Sequence, residues 1–168
     1  MNKLLVHLTI LAAVSLTTAC SGSDEASTPD VTPPPVVPDT TMKMRGMAID
    51  GYIVGATVFL DVNFNGIMDD GEPNSVTVNP EISGLSFELP VPSNLERCAG
   101  FVPVVVDVPV GAIDLDDPDN PITEAYQMIT PPPLTALTDE DIINATPLTT
   151  VVWDSVKREL NTMDRTLN

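Results

Sequence analysis

The sequence predicts a mainly β domain, a β-sandwich, followed by a C-terminal α-helix. Short runs of β-branched and aromatic residues alternate with Gly, Pro, Asn and Asp turns between residues 42 and 130, a pattern typical of sandwiches. The 17 prolines and the aromatic content of 4% suit short strands better than a helical bundle. From Pro147 onward, apolar residues recur every four positions, which indicates one amphipathic helix.

The first residues have the pattern of a signal peptide. Lys3 supplies a positive charge, and an apolar segment follows from Leu4 to Leu16. This segment is too short to span a bilayer stably, but it has the length of the apolar part of a secretory signal. We therefore expect residues 1–19 to be removed.

The four residues Thr17-Thr18-Ala19-Cys20 resemble a bacterial lipobox. This resemblance implies that Cys20 is lipidated and becomes the mature N-terminus. Cleavage after Ala19 by an ordinary signal peptidase is the alternative. Ser21 resembles the signal for outer-membrane sorting in Gram-negative bacteria. We expect a cell-envelope lipoprotein whose lipid anchors it in the membrane, on the periplasmic side or the outer surface.

Residues 20–41 predict a disordered tether. The segment is rich in Ser, Thr, Pro and Asp and contains Pro33-Pro34-Pro35. Such a composition cannot bury enough apolar surface to fold, and consecutive prolines favour an extended polyproline II conformation. Its expected role is to hold the following domain away from the membrane.

Six strands are predicted in the β domain, residues 42–130. The longest apolar run is the fifth, which we expect to be a central strand despite its two prolines. The second and third strands flank an acidic segment, and the third and fourth are expected to pair with each other. We expect Pro90 to end the fourth strand. In chain order the predicted strands are Met42–Ile49, Ala56–Val62, Val76–Val78, Leu85–Leu89, Phe101–Val110 and Ala125–Ile129.

The segment between the second and third strands, residues 61–72, matches the calcium-binding loop pattern D-x-[DN]-x-[DN]-G-x5-E at every fixed position. We call it the EF-hand-like loop. Its hard oxygen donors suit Ca²⁺ better than Mg²⁺ or zinc. Gly66 provides the sharp turn at the sixth position. The predicted ligands are Asp61, Asn63, Asn65, the carbonyl of Ile67, Asp69 and Glu72.

A wider pattern, V-x-L-D-x-N-x-N-G-x-x-D-x-G-E from Val58 to Glu72, resembles the calcium loops of bacterial cell-surface β-sandwich modules. These include the B-repeat domains of serine-aspartate-repeat adhesins and carboxypeptidase-regulatory-like (prealbumin-like) domains. The resemblance implies an Ig-like or prealbumin-like sandwich and the ligand set given above. Because the flanking segments read as strands rather than helices, we expect a structural calcium site rather than a sensor.

A second acidic segment, residues 113–120, contains four aspartates but lacks the glycine and the closing glutamate of the pattern. A solvated turn, a second calcium site and a loop that lends a ligand to the first site remain alternatives. Cys98 is expected to be a half-buried thiol if Cys20 carries lipid. If Cys20 carries none, a Cys20–Cys98 disulfide is conceivable.

Residues 131–168 predict a proline-rich hinge and then an amphipathic helix from Pro147 to Met163. The hinge begins with Pro131-Pro132-Pro133, which we expect to end the sandwich. The helix either packs on the sandwich or docks on a partner. Its expected apolar stripe consists of Leu148, Val152, Val156 and Leu160, with Val151 and Trp153 beside it.

Charge and residue content limit the function. The formal net charge of −17 disfavours binding to nucleic acid and attracts divalent cations. The single histidine, His7, lies in the expected signal peptide, and no catalytic motif is found, so we expect no enzyme activity. The expected function is a calcium-stabilised, lipid-anchored binding or spacer module of the cell envelope. The alternatives are an accessory or assembly protein whose C-terminal helix docks on an envelope partner, and a surface hydrolase.

Overall fold

A computed structural model describes residues 40–167. Residues 40, 41 and 164–167 are described by their backbone alone. The signal peptide, the lipidation site at Cys20 and nearly all of the expected tether lie outside the described residues.

Nine strands and three helices form within the described residues. The strands are β1 Thr40–Ala48, β2 Ile53–Val54, β3 Thr57–Leu60, β4 Asn74–Val76, β5 Phe87–Pro92, β6 Val104–Val108, β7 Ile113–Asp114, β8 Tyr126–Thr130 and β9 Ile142–Ala145. The helices are α1 Pro80–Ser83, α2 Glu96–Ala99 and α3 Pro147–Leu167. A mainly β fold with a C-terminal helix, as predicted, is confirmed.

The strands form three sheets. A four-stranded sheet has the order β4-β3-β6-β8 with antiparallel neighbours, and a three-stranded sheet has the order β5-β1-β9. In the second of these, β5 is antiparallel to β1, whereas β9 is parallel to it. The two-residue strands β2 and β7 form a small antiparallel ribbon.

Alternation along the strands explains where the core lies. One set of side chains from the four-stranded sheet, including Val58, Leu60 and Val106, meets Phe87 and Leu89 of the three-stranded sheet in a single buried cluster. The alternate side chains point to the other face of the four-stranded sheet, because successive residues of a strand face opposite sides. That outer set packs with a side chain of α3, and the second cluster consists of Phe59, Val105, Ile129 and Trp153.

This two-sided burial accounts for the continuous apolar run in β6. A strand with one exposed face alternates apolar and polar residues, whereas a strand covered on both faces does not need to. In β6, Val105 faces the helix while Val104 and Val106 face the main core. The prediction of a central strand here is confirmed, because β6 lies between β3 and β8.

Three strand predictions are wrong in detail. The predicted strand Val76–Val78 is shifted, since β4 covers Asn74–Val76. It pairs with β3, and the expected pairing with Leu85–Leu89 is reduced to a hydrogen bond of 2.7 Å from the N–H of Val78 to the carbonyl of Ser86. Phe87 to Leu89 belong to β5, which pairs with β1. Pro90 does not end β5, because β5 is an edge strand and a proline there removes no hydrogen bond that the sheet needs.

The sheet does not end at Pro131-Pro132-Pro133 as expected. Strand β9 returns after these prolines and joins the free edge of β1, with Gly46 opposite Ile143. Only a glycine fits at this point, because a Cβ on Gly46 would lie 1.7 Å from the carbonyl oxygen of Ile143 and 2.5 Å from Cζ of Phe87. Thr138 to Asp141 forms a hydrogen-bonded turn that leads into β9.

Helix α3 begins at Pro147 as predicted and extends to Leu167. Its first turn docks on β8, where the Thr150 hydroxyl accepts a hydrogen bond of 2.8 Å from the backbone N–H of Ile129. Trp153 is 7% exposed, but the predicted stripe is not the buried face, since Leu148, Val152 and Leu160 are 72%, 49% and 55% exposed. No helix between residues 40 and 167 is both long enough and apolar enough to cross a bilayer.

Candidate metal centre

The EF-hand-like loop connects β3 to β4 at one end of the four-stranded sheet. Two hydrogen bonds hold its base: the N–H of Leu60 donates to the carbonyl of Pro73 (3.0 Å), and that of Asp61 donates to the carbonyl of Pro103 (3.1 Å). Since Phe59 and Asp61 are two residues apart, the loop leaves the sheet on the outer face, the face that α3 covers.

The two carboxylates at the ends of the loop are buried. Asp61 is 3% exposed and Glu72 is 5% exposed. Asp61 accepts backbone hydrogen bonds from Asn65 (3.1 Å) and Gly66 (2.9 Å), and Glu72 accepts them from Val62 (2.9 Å) and Asp69 (3.1 Å). The loop is therefore folded around its own acidic side chains.

Three of the predicted ligands meet at a single atom. The amide nitrogens of Asn63 and Asn65 both donate to Oδ2 of Asp69 at 2.7 Å. Positions 3, 5 and 9 of the pattern are thus brought together. A 180° rotation of either amide group exchanges its nitrogen for its oxygen, so each asparagine has a side-chain oxygen available for a cation held beside Asp69.

The turn at the centre of the loop has the backbone that the pattern requires. Gly66 has φ +75°, a conformation that glycine adopts without steric cost. Ile67 follows with its side chain 64% exposed and its N–H donating to Oδ1 of Asn65 at 2.7 Å. The side chain of Ile67 thus leaves the loop, and a carbonyl is the only oxygen it can offer.

The donor chemistry fits calcium. All the predicted ligands offer oxygen, and the loop carries four carboxylates with no basic residue. None of the ion pairs within residues 42–163 involves these carboxylates. Buried negative charge without a compensating cation is costly, and a hard divalent ion would remove that cost. In the described part of the chain, however, no three Asp, Glu, His or Cys side chains already converge as a metal-binding group, so the asparagines are needed to complete the shell.

Two residues far away in sequence hold the loop in place, and sequence reasoning missed both roles. Gln127 on β8 donates from Nε2 to the carbonyl of Gly66 (3.0 Å) and to Oδ1 of Asp107 (3.3 Å). Phe64, at the fourth position of the loop, packs against Trp153 of α3 with ring centroids 6.3 Å apart. Neither contact could be found from the pattern, because each depends on how β8 and α3 pack.

The second acidic segment contacts a different part of the chain. Asp114 lies against Gly51, where a Cβ would be 1.8 Å from Oδ1 of Asp114. Next to it, the hydroxyl of Tyr126 donates to Oδ2 of Asp50 at 2.8 Å. Burial, followed by this hydrogen bond and the charge of Asp50, raises the pKa of Tyr126 well above its usual value. The contacts of Asp114 therefore lie at the β2–β7 ribbon, and none of the described hydrogen bonds links the segment to the EF-hand-like loop.

Cys98 lies in α2 and is half-buried as expected, but it is disulfide-bonded and not a free thiol. The other cysteine in the sequence, Cys20, lies outside the described residues. The alternative that the sequence left open, in which Cys20 carries no lipid, therefore remains in play.

Comparison of the chain with models of protein families, with curated proteins and with solved structures finds no match.

Proposed function

We propose that the protein is a calcium-stabilised module of the bacterial cell envelope that acts in binding or as a spacer and is not an enzyme. We further propose that its two facing sheets belong to the Ig-like or prealbumin-like class of β-sandwich. One observation carries the proposal: Asp61 and Glu72 are buried at the two ends of a loop whose asparagines meet Asp69, and among residues 42–163 no ion pair balances their charge.

Calcium bound in this loop would join two neighbouring strands. The loop leaves β3 and enters β4, and β4 is short and lies at the edge of its sheet. Such a strand has few hydrogen bonds of its own, so an ion that fixes the connection limits its fraying. Extracellular sites of this kind bind calcium with a Kd of about 10⁻⁴ to 10⁻³ M, which ambient calcium outside the cell would fill.

Thermal unfolding of the full chain with calcium and with chelator tests this proposal. At a calcium concentration of 100 Kd the ion should add about 2.7 kcal/mol to the free energy of unfolding. Magnesium at the same concentration should add less, because it requires a stricter octahedral shell. An unchanged melting temperature on adding chelator would contradict a calcium role.

Two neighbouring aspartates provide a matched pair of variants. Asp69 accepts both asparagine amides, whereas Asp70 follows it in the loop, is also exposed and is not a predicted ligand. Asp69→Ala should abolish the calcium-induced rise in melting temperature, and Asp70→Ala should retain it. If both variants lost the calcium-induced rise in melting temperature equally, calcium would stabilise the protein only through the overall negative charge of the loop.

The exposed face of α3 favours a second candidate, an accessory or assembly protein that docks an envelope partner. Leu148 and Leu160 are 72% and 55% exposed, and unpaired apolar stripes of this kind often bind other proteins. Deleting the whole helix would not separate the candidates, because it would remove the buried Trp153. Leu160→Asp leaves Trp153 in place. The substitution should release the protein from a larger complex in solubilised envelopes if it docks, and should leave its size unchanged if it is a spacer.

A further inference from the structure

The EF-hand-like loop and helix α3 touch each other directly. The ring of Phe64 lies 6.3 Å from that of Trp153, tilted by 36°. Trp153 is in turn buried against Phe59, the strand residue two positions before the loop begins, and against Val105. The same indole thus contacts both the loop and the strand that leads into it.

Phe64 is held in a backbone conformation that a phenylalanine rarely adopts. Its φ is +63°, which costs a residue with a Cβ free energy unless the surroundings compensate. The surroundings here are the turn closed by the N–H of Asn65 on Oδ1 of Asn63 (3.0 Å) and the ring contact with Trp153. A bound ion that orders Asn63 and Asn65 would favour the same turn.

Gln127 provides a second link between the loop and the helix side of the sheet. Its Nε2 holds the carbonyl of Gly66, the residue that makes the loop's sharp turn. Two residues further along β8, the N–H of Ile129 donates to the Thr150 hydroxyl of α3. Strand β8 therefore contacts the loop through the side chain of Gln127 and contacts the helix through the backbone N–H of Ile129.

We propose that calcium binding to the EF-hand-like loop and docking of helix α3 on the sheet are coupled through Phe64 and Gln127. Calcium then tightens the docking of the helix, and the docked helix strengthens calcium binding by the same factor, because linkage between two equilibria is reciprocal. This inference rests on the proposed calcium site and extends it. Phe64 and Gln127 are positioning residues, since neither is a predicted ligand.

The chain contains a natural probe for this coupling. Trp153 is its only tryptophan, so intrinsic fluorescence and its quenching by acrylamide report on the side chain through which α3 is buried against the sheet. Calcium titrations of the full chain, followed by calorimetry and by Trp153 fluorescence, measure binding and docking separately. The variants are Phe64→Leu, which removes the ring and keeps an apolar side chain, and Gln127→Ala. The matched control is Phe101→Leu, since Phe101 is 47% exposed and Phe64 is 52% exposed.

The proposal predicts that calcium reduces the quenching of Trp153 in the unmodified chain and in Phe101→Leu. In Phe64→Leu and Gln127→Ala the calorimetric Kd should rise about two- to tenfold, the range expected for loss of one aromatic contact, and the effect of calcium on quenching should shrink.

Two negative results have different meanings. If calorimetry shows calcium binding with the same Kd in all four proteins, and calcium leaves Trp153 quenching unchanged, the coupling is refuted and the calcium site stands. If the unmodified chain takes up no calcium, the proposed function itself fails, and the coupling fails with it.

Discussion

Replacing Gly46 with alanine should destabilise the domain strongly, because it separates β9 from β1. The new Cβ would lie 1.7 Å from the carbonyl oxygen of Ile143, whereas ordinary contact begins at 3.4 Å. The strands would therefore have to separate by about 1.7 Å, which backbone hydrogen bonds near 2.9 Å long do not survive. Ile143 and Ala145, which are 9% and 0% exposed, would then lose their cover. Loss of their burial amounts to about 3 kcal/mol.

For a domain of this size we expect Gly46→Ala to lower the melting temperature by roughly 12 °C, at about 4 °C for each kcal/mol. Circular dichroism during heating measures the change. The control is Gly111→Ala, where φ is +92° but no atom lies within 4 Å of the added Cβ, so it costs only the backbone strain of about 1–2 kcal/mol.

A second substitution distinguishes the two contacts at Gly46. Phe87→Leu removes the ring atom at 2.5 Å but leaves the carbonyl of Ile143 in place, so it should not rescue Gly46→Ala. A Gly46→Ala protein that melts within about 2 °C of the unmodified chain would refute the parallel pairing of β9 with β1.

Two further predictions concern titration and covalent chemistry. Because the pKa of Tyr126 is raised in the folded chain, its hydroxyl keeps a proton that the unfolded chain releases near pH 10. The contribution of Tyr126 to the free energy of unfolding is therefore fully present below pH 10 and is lost as the pH rises further. Urea denaturation at pH 9 and pH 11 gives the loss of unfolding free energy between these pH values, and Tyr126→Phe should make this loss smaller. An equal loss in the variant and the unmodified chain would contradict the prediction. Cys98 is disulfide-bonded, and Cys20 is the other cysteine of the sequence. Because a lipid would be attached to the sulfur of Cys20, lipidation and a Cys20–Cys98 disulfide exclude each other. Mass spectrometry of the protein without reduction should find the peptides of Cys20 and Cys98 linked to each other, and a lipid on the Cys20 peptide would contradict this pairing.

Short sequence patterns predicted the features that depend on neighbouring residues, namely individual strands and the EF-hand-like loop. The run of β-branched and aromatic residues at Thr57, Val58 and Phe59 indicated a strand, and β3 forms there. The apolar run around Val105 indicated a central strand, and β6 lies between β3 and β8. In the loop, the spacing of the acids and asparagines brought Asn63 and Asn65 to Asp69, as a turn of that length requires.

Predictions failed where distant segments decide the outcome. Strand β9 is short, and its outward Ile142 is 50% exposed, so it carries little alternation that sequence reading could use. Its place in the sheet depends on the space left by Gly46, a residue 97 positions from Ile143. Similarly, the stripe through Leu148 and Leu160 is the more regular apolar pattern of α3, but Trp153 is the side chain that packs against the sheet.

The parallel pairing of β9 with β1 also bears on how the domain folds during synthesis. Strand β1 is the first strand of the domain and needs residues near position 143 to complete its sheet, so most of the domain must leave the ribosome before this pairing can form. Pairings of such long sequence separation form slowly. Until β9 arrives, one edge of β1 therefore stays open to pairing with other extended segments, and the domain acquires its final shape only after nearly all of its described residues have been synthesised.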